Sequence, residues 1–361
     1  MRKGWKHLTV TGGSHNICRM ETLPQPAKSI REVAKLANTS VSTVSRVLNN
    51  SGYVKADVRS RIEAVIAATG YVPSAMAKDL RRRQSSLVGV VIPRINSYTS
   101  GEIVAGVSSV LSTQGYSVLL ADTDNHAERE IESLRLFQEK RVNGVLLLAT
   151  ELTAQHQEAL ARMAVPTVVI GQDAAALHCS CVLQDERAAT RAMVCELIRL
   201  GHRRIGLIGV HEWDIQVGVE RKRGYLDALA EAGIAPDADL LIQGGFEFAS
   251  AATAVDRLLG LPVPPTALLA VTDRLAIGAI SRLAELGLRV PQHLSVVGMG
   301  DIDLAAMYQP RISTVHYDYF GTGCRAAEIL MAELSQTAAE PQRLVMDYRL
   351  MMRDSARRVD A

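Results

Sequence analysis

The first regular pattern in the chain, between residues 29 and 71, consists of three segments whose hydrophobic residues recur at helical spacing. In each segment the apolar residues fall on one face and polar residues occupy the rest of the turn. The apolar faces comprise Ile30, Val33, Ala34 and Ala37, then Val44, Val47 and Leu48, then Val58, Ile62, Val65 and Ile66. Three short amphipathic helices around one small core are therefore predicted.

Residues that start and stop helices stand between these faces. Ser29 is a predicted N-cap, with Glu32 three positions later as a capping box requires. Asn38 tolerates the left-handed conformation of a sharp turn, Ser40 caps the second helix, and Gly70 closes the third, predicted over 56–68. A short turn between two short helices is typical of a helix-turn-helix, whose second helix enters the major groove of DNA. A three-helix bundle that binds no nucleic acid is the alternative.

From residue 87 onward, short and fully apolar runs alternate with amphipathic segments. The runs are LVGVVIP, YSVLLAD, VNGVLLLA and PTVVIG, followed by RIGLIGV, ALLAVT and LSVVGMG, and such runs are typical of buried parallel strands. Helices are predicted at 101–114, 128–140 and 154–163, and again at 221–232, 250–259 and 274–286. We expect two doubly wound parallel-sheet halves, with a ligand cleft at the carboxyl ends of their strands.

Charge is distributed unevenly along the chain. Residues 28–86 hold eleven Lys and Arg against four Asp and Glu, and residues 1–27 are also basic, whereas the whole chain carries a net charge of only +2. The part after residue 86 is therefore acidic overall. Clustered basic residues favour polyanion binding because they release counterions from phosphates. This asymmetry indicates a nucleic-acid-binding module joined to an acidic domain, although a solvated basic face has the same composition.

Composition narrows the class of protein further. With 48% hydrophobic and 22% charged residues, and no apolar run of about 18 residues, no membrane span is predicted. The basic N-terminus lacks the apolar core of a secretory signal, so we expect a cytoplasmic protein. The five cysteines lack zinc-site spacing and are expected to be reduced, partly buried thiols. They are Cys18, Cys179, Cys181, Cys195 and Cys324.

Enzymatic motifs are missing from the sequence. There is no GxSxG elbow, P-loop, HExxH or GxGxxG pattern. His126, His156, His202 and His211 lack metal-ligand spacing and are predicted to be surface or helix-end residues. No catalytic residue, metal ligand or cofactor is predicted, and the protein is not expected to be an enzyme.

The stretch from residue 30 to 93 resembles the DNA-binding headpiece and first strand of the LacI/GalR family of bacterial transcriptional regulators, and the resemblance continues more loosely to about residue 354. It implies a helix-turn-helix headpiece at 28–73, a hinge at 74–86 and a periplasmic-binding-protein-like effector and dimerisation domain at 87–361. The effector domain would divide into one half at 87–183 and 316–345 and another at 184–315 and 346–355, with crossovers near Leu183, Val315 and Val345. Residues 1–27 fall outside the resemblance. They are expected to be a disordered extension. Within it, residues 1–19 are either a functional arm or the product of a misassigned start, with Met20 as the true one.

The resemblance assigns DNA contacts residue by residue. Val41, Ser42 and Arg46 match base-reading positions; Ser29, Ser40, Thr43, Ser45, Asn49 and Tyr53 match other positions of the DNA face; Leu80 and Arg81 match the hinge contacts in the minor groove. Arg46 can donate two hydrogen bonds to a guanine, and Val41 can contact a thymine methyl. A phosphate contact without base reading is the alternative for Arg46.

The same resemblance implies an effector site in the cleft. Its predicted residues are Arg94, Tyr98, Arg221, Phe246, Thr272, Asp273, Asp301 and Tyr319. Gly300 and Gly171 stand where relatives have acidic contacts, and the segment GMGDIDLAA is similar to regulators of gluconate-type utilisation. A sugar acid such as gluconate is therefore the leading effector hypothesis, with a neutral sugar or sugar phosphate as alternatives.

Together these features predict a homodimeric repressor that binds operator DNA and whose DNA affinity is controlled by a small carbohydrate-type effector. A sugar-binding receptor without gene control is a second hypothesis, and a carbohydrate-processing enzyme on the same scaffold is a third. The receptor would need export and no DNA-binding head. The enzyme would need paired carboxylates converging in the cleft.

Overall fold

The computed structural model describes residues 29–71, 86–163, 165–337 and 340–359, and the chain divides into two compact units, Met1–Arg83 and Gln84–Ala361. The predicted extension at 1–27 lies outside the described residues. So does the predicted hinge up to residue 85, with Leu80 and Arg81. No helix in the described ranges has the length and apolar character needed to cross a bilayer.

The small unit contains the three predicted helices, α1 (Ile30–Leu36), α2 (Val41–Leu48) and α3 (Ala56–Thr69). Its core is built from one face of each helix and includes Val33, Val44 and Ile62, all fully buried. Asn38 adopts φ 47° in the turn between α1 and α2, and Gly70 closes α3 at φ 61°, as predicted. Local pattern and capping are sufficient to define these helices because their core is formed by neighbours in sequence.

The large unit is an α/β domain with two parallel sheets, as the fold prediction required. Its strands are β1 (Leu87–Ile92), β2 (Ser117–Asp122), β3 (Gly144–Leu148), β4 (Thr167–Ile170), β5 (Ser180–Gln184), β6 (Ile205–Val210), β7 (Leu241–Gly244), β8 (Ala267–Ala270), β9 (Ser295–Val297), β10 (Thr314–Tyr317), β11 (Arg343–Met346) and β12 (Tyr348–Met351). Its helices are α4 (Tyr98–Thr113), α5 (Ala127–Lys140), α6 (Ala154–Met163), α7 (Glu186–Arg199), α8 (Arg221–Glu231), α9 (Phe248–Leu259), α10 (Asp273–Glu285), α11 (Asp303–Met307) and α12 (Tyr319–Leu334).

The first sheet has the order β11-β5-β4-β3-β1-β2 and is parallel throughout. With α4, α5, α6 and α12 it forms the N-lobe. Alternate residues of β1 enter the cores on opposite sides: Val88, Val90 and Ile92 on one, Val91 on the other. Gly89 leaves the space into which the Phe137 ring packs, since a Cβ there would overlap the ring. Both faces of the sheet are therefore covered by helices, which is why its strands are almost continuously apolar.

The second sheet has the order β7-β6-β8-β9 and, with α7 to α11, forms the C-lobe. Strands β10 and β12 pair antiparallel and belong to this lobe, because parallel bridges join Val297 to Ser313 and Gly300 to His316. The chain crosses between the lobes three times, between β5 and α7, between β10 and α12, and between β11 and β12. These crossings put the carboxyl ends of both sheets on either side of one cleft.

The four histidines lie at the surface or near helix ends, as expected, but two of them are buried. His126 and His211 are exposed, whereas His156 and His202 are buried although both lie near helix ends. His156 bonds to the Glu130 carboxylate (2.7 Å) and His202 to the Arg357 carbonyl (3.1 Å). Each ring is accommodated because a polar partner from another segment satisfies it.

The described cysteines Cys179, Cys181, Cys195 and Cys324 are free thiols at buried or half-buried positions. Burial raises the pKa of the Cys179 and Cys181 thiols, which keeps them protonated and weakly nucleophilic. Cys18 lies outside the described residues.

Candidate functional sites

Helix α2 of the small unit presents a polar face to solvent. Val44 and Val47 close the core, while Ser42 and Arg46 are exposed and Val41 and Ser45 are half-buried. The aliphatic stem of Arg46 lies over Gly52, which leaves its guanidinium free to extend from the helix. This is the arrangement that a helix needs to present its N-terminal half to base edges.

Hydroxyl groups at the start of α2 are ordered by one another. The Ser40 Oγ accepts from the Thr43 N–H (3.1 Å) and hydrogen-bonds to the hydroxyls of Ser42 (2.7 Å) and Thr43 (2.8 Å). A helix N-terminus with oriented N–H and O–H groups favours an anion such as a phosphate. Ser40 and Thr43, two of the predicted DNA-face residues, therefore form one cluster with Ser42 at the N-terminus of α2.

The other predicted residues of this face lie around α2. Asn49 is the C-cap of α2 and donates to the Ser45 carbonyl (2.8 Å), Ser29 caps α1, and Tyr53 is 85% exposed. One supporting contact was not predicted: Arg61 on α3 donates from Nε to the Ala37 carbonyl (3.0 Å), which fixes α3 against the turn that precedes α2. In the sequence, the only feature that marks Arg61 is that it is a polar residue beside Ile62.

In the large unit, a cavity of about 620 Å³ lies between the two lobes. Residues that follow β1, β3, β4, β6, β7, β8 and β9 line it, which is the carboxyl-end position expected for open α/β sheets. Of the eight predicted effector residues, seven border the cavity: Arg94, Tyr98, Arg221, Phe246, Thr272, Asp273 and Tyr319. Gly171 and Gly300 also border it.

Arg221 is held at the bottom of this cavity by a buried ion pair. Its guanidinium, 3% exposed, donates to both carboxylate oxygens of Glu186 (2.7 and 2.9 Å) and to the Val271 carbonyl. The Tyr317 hydroxyl donates to the same carboxylate (2.6 Å). Burial acts to lower the pKa of Arg221, but the Glu186 carboxylate overcomes it and holds that pKa well above its usual value. Arg221 is thus a fixed cation whose charge is already neutralised.

Glu186 was not predicted from the sequence. It occupies the first position of α7, directly after the N-cap Asp185, where an acidic residue is ordinary because it favours the helix dipole. Only the fold shows that its carboxylate reaches Arg221.

Thr272 and Asp273 lie at the start of α10. The Thr272 hydroxyl caps the helix by accepting from the Leu275 N–H (3.2 Å). The Asp273 carboxylate is 1% exposed and accepts from the Thr314 hydroxyl (2.5 Å) and the Ile302 N–H (2.9 Å). Burial raises the pKa of Asp273 to about 6. This carboxylate therefore joins β10 to the loop after β9 as well as facing the cavity.

The structure does not bring Asp301 to the cavity, so its assignment to the effector site is corrected. Asp301 has φ 55° and turns its carboxylate toward β10 and β12, where it accepts from Arg353 (2.6 Å) and His316 (3.0 Å). Gly300, at φ 132°, produces this reversal of direction. The neighbouring Asp303 is the carboxylate that reaches the cavity.

Two contacts join the lobes across the mouth of the cavity. The Arg94 guanidinium, after β1 in the N-lobe, stacks on Phe246 of the C-lobe with 4.3 Å from Cζ to the ring centre. The Tyr98 hydroxyl, on α4, donates to Asp303 on α11 (3.0 Å). Tyr319 is 7% exposed, and burial raises its pKa to about 12, so it enters the site as a neutral hydroxyl.

Three further residues of the cavity were missed. Asp214 is 7% exposed and accepts from the Val217 N–H (2.9 Å), and burial raises its pKa. Gln184 donates to the Thr322 hydroxyl (2.8 Å), while its buried Oε1 has no hydrogen-bond partner among the described residues. Arg274, in the first turn of α10, stacks on Phe248 at 4.4 Å. In the sequence, these residues are marked only by their positions near the ends of strands. Many residues that do not line the cavity share that feature.

Within the described ranges no group of three or more His, Cys, Asp or Glu residues is placed to hold a metal ion. The polar groups of the cavity are instead suited to hydrogen bonding: one neutralised cation, two stacked guanidiniums, several carboxylates and a free amide oxygen. Such a set, with aromatic rings, is typical of small polar ligands.

Comparison with known proteins gives matches over both units. Residues 29–74 match the family described as bacterial regulatory proteins, lacI family, and residues 194–356 match a periplasmic binding protein-like domain. The chain is 30% identical to the HTH-type transcriptional repressor PurR of Vibrio atlanticus over 330 residues, which cover 91% of this chain and 98% of the relative. It is 32% identical to PurR of Actinobacillus pleuropneumoniae serotype 5b over 92% of this chain and 99% of that one.

Solved structures agree with this assignment. The complex of the transcriptional regulator CelR with cellobiose has a TM-score of 0.69 at 30% identity, covering 91% of this chain and all of that one. The lac repressor dimer bound to operator and the anti-inducer ONPF has a TM-score of 0.81 at 26% identity, covering 92% of this chain and all of that one. The exposed α2, the two-lobed domain and these relatives lead to one conclusion. The chain belongs to the lacI family of bacterial regulatory proteins and is a DNA-binding transcriptional repressor rather than an enzyme.

Proposed function

We propose that this protein acts in the cytoplasm as a homodimer, that each headpiece binds one half of a near-palindromic operator, and that a small carbohydrate effector in the cleft changes its DNA affinity. A sugar acid such as gluconate is the effector that we favour. The observation that carries the proposal is the orientation of α2, which buries Val44 and Val47 while Ser42 and Arg46 remain exposed. A helix with its outer face free is available to a major groove.

The proposed DNA contacts divide by chemistry. Arg46 and Val41 read base edges, since a guanidinium can donate twice to guanine and an apolar side chain can contact a thymine methyl. Ser40 and Thr43 bind phosphate oxygens through the ordered hydroxyl cluster, and Asn49 extends that contact at the other end of α2. Control by the effector requires that the ligand bind the DNA-competent and DNA-incompetent states with unequal affinity.

The cavity supports a small polar effector. Its volume of about 620 Å³ lies in the range of small-molecule sites, about 300–1,000 Å³. Phe246 can stack on the apolar face of a sugar ring, and the CelR relative was solved with a sugar, cellobiose. Arg94 favours an acidic sugar because it has no carboxylate within ion-pair distance among the described residues. A neutral sugar is the second candidate, favoured by the buried carboxylates of Asp214 and Asp273, which can accept from hydroxyls.

A gel-shift assay with DNA from upstream of the gene tests the DNA-binding half of the proposal. Arg46→Ala should weaken specific binding by about 1–3 kcal/mol, because one base-reading residue is lost. Arg59→Ala, on α3 and away from the exposed face of α2, is the matched control and should change it little. Binding to the upstream DNA that is insensitive to Arg46→Ala would contradict the assignment of α2 as the reading helix.

A thermal-shift screen of sugars, sugar acids and sugar phosphates tests the effector half. A ligand that binds only the native state raises the melting temperature, and the rise grows with the logarithm of the ligand concentration divided by its Kd. We expect at least one of these compounds to raise the melting temperature and, in the gel shift, to change the DNA affinity. A compound that raises the melting temperature without changing the DNA affinity would indicate binding in the cleft without gene control.

A further inference from the structure

The guanidinium groups of Arg94 and Arg274 border the same cavity from opposite lobes. Arg94 follows β1 of the N-lobe, and Arg274 lies in the first turn of α10 in the C-lobe. Neither guanidinium forms a hydrogen bond or an ion pair with the residues that the structure describes; each lies over an aromatic ring. Two cations from different parts of the chain therefore approach one cavity with their hydrogen-bond donors unused.

The aromatic contacts fix how these donors are presented. Arg94 stacks on Phe246 at 4.3 Å and Arg274 stacks on Phe248 at 4.4 Å. Phe246 lies in the loop after β7 and Phe248 begins α9, so a single residue separates them in sequence. A guanidinium stacked by its face keeps its N–H groups free at its edge. Both arginines are therefore held in place without losing the donors that could bind an anion.

The described carboxylates around the cavity do not form ion pairs with Arg94 or Arg274. Asp214 and Asp273 each accept backbone N–H groups, and Asp303 accepts from Tyr98. Glu247, between the two aromatic residues, folds back over its own loop at Gly245. The carboxylates of Asp214, Glu247 and Asp124 act on Arg94 only at a distance.

Arg221 does not supply a free cation for a ligand either, because Glu186 binds it through two hydrogen bonds. Arg94 and Arg274 also repel one another, and an anion placed between them would remove that cost. The cavity thus has a neutralised pair at its base and, beside the carboxylates of Asp303 and Glu247, two guanidiniums that form no ion pair with the residues that the structure describes.

We propose that Arg94 and Arg274 form a subsite for the carboxylate or phosphate of a small polyhydroxy effector, and that this anion bridges the two lobes. This proposal rests on the proposed function, because it assigns a binding site to the charged group of an effector that binds in the same cleft. The hydroxyl groups of the ligand lie deeper, where the unpartnered Oε1 of Gln184 is an acceptor. One anion bound by both arginines holds the N-lobe and the C-lobe together.

Calorimetry on the full chain with matched ligand pairs tests this subsite. Gluconate is compared with its neutral isostere gluconamide, and glucose 6-phosphate with glucose. We expect the charged member of at least one pair to bind about tenfold tighter or more, since hydrogen bonds to charged groups are the strong ones. The pair that shows the preference identifies the anion as carboxylate or phosphate.

The preference should depend on both arginines. Arg94→Gln and Arg274→Gln should each lower the affinity for the charged ligand about tenfold more than they lower the affinity for its neutral partner. Arg135→Gln on α5 and Arg257→Gln on α9, exposed arginines outside the cavity, are the matched controls and should have no effect. Unchanged melting temperatures of the unliganded variants will show that they are folded.

Two results would overturn the subsite. One is equal affinity for the charged and neutral members of both pairs, or no binding of any of the four, in the wild-type protein. The other is a charge preference that survives both substitutions. Either result leaves the proposed repressor function in place if the upstream DNA still binds and another sugar in the wider screen alters that binding. Failure of DNA binding would instead contradict the proposed function.

Discussion

In the small unit, Ser42 and Arg46 lie on one eight-residue helix, whereas in the large unit Arg94, Arg221 and Arg274 come from three distant segments. The DNA face depends on helical periodicity and capping, which act over a few residues. The cavity depends on seven strand ends and three crossings between lobes. A local surface can thus be predicted from spacing alone, while a cleft needs the positions of residues far apart in sequence.

The largest loss of stability is expected when the buried Arg221 of the large unit loses its counter-ion. Glu186→Gln leaves Arg221 buried without its counter-ion, which should cost about 3–5 kcal/mol of unfolding free energy. Urea unfolding followed by the fluorescence of Trp213, beside the cavity, measures it. Glu158→Gln, in an exposed ion pair with Arg162, should change stability by less than about 1 kcal/mol. Similar small effects for both would show that the Arg221 pair contributes little.

Removing a buried side chain from the core of the small unit should destabilise that unit alone. Ile62→Ala removes a fully buried side chain from a core of three helices and should cost about 3 kcal/mol. We expect the gel shift to be lost while sugar binding, measured by calorimetry, is retained. Val65→Ala, at a half-buried position on the same helix, should have a smaller effect. Loss of sugar binding in Ile62→Ala would show that the two units do not fold independently.

The buried Asp273 should make the large unit sensitive to pH. Its pKa rises from 3.8 to about 6 on burial, so the folded state holds the proton more tightly. The contribution to stability is complete below pH 3.8 and is lost as the pH rises through about 6, at about 1.4 kcal/mol per pH unit. Asp273→Asn should flatten this slope in urea unfolding between these pH values, whereas Asp256→Asn, on an exposed carboxylate, should not. Equal slopes in the wild type and Asp273→Asn would contradict the assignment.

The smallest effect on stability is expected for the hydrogen bond between Tyr98 and Asp303, which joins the lobes. Tyr98→Phe removes the donor to Asp303 and should lower the unfolding free energy by about 1 kcal/mol. Tyr53→Phe, at a tyrosine of the headpiece that is 85% exposed, should leave it unchanged. A larger loss in Tyr53→Phe than in Tyr98→Phe would mean that the headpiece hydroxyl is structurally engaged.

Much of the fold was predictable because the determining interactions are local. Helix α2 was predicted to start after Ser40 and to turn Val44 and Val47 inward, and it does. The seven predicted strands all occur, and six of them are buried because helices cover both faces of their sheets. β2 lies at the edge of its sheet and is exposed or half-buried throughout, so the prediction that it is a buried strand was wrong. Five strands of the described residues were not predicted: β5, β7, β10, β11 and β12. β7, for example, has four residues, of which only Ile242 is buried, and contains the polar Gln243.

The site was less predictable because side-chain direction depends on backbone conformation. Asp301 follows a strand of the cleft, as its assignment required, but its positive φ turns the carboxylate toward Arg353 and His316. Glu186 looked like a helix-capping residue and is the partner of Arg221. Arg274, beside the predicted Asp273, had no pattern of its own.

By itself the sequence determined that this chain has a basic three-helix head and a two-sheet α/β domain, because periodicity, capping and charge act over neighbouring residues. The tertiary structure alone decided which charges are neutralised and which remain free. It pairs Arg221 with Glu186 across 35 positions of sequence and leaves Arg94 and Arg274 stacked on rings without an ion-pair partner in the described part of the chain. The reason is physical: the strength of a charge at a site depends on what lies within a few ångströms of it and on how much water is excluded, and only the folded chain sets either.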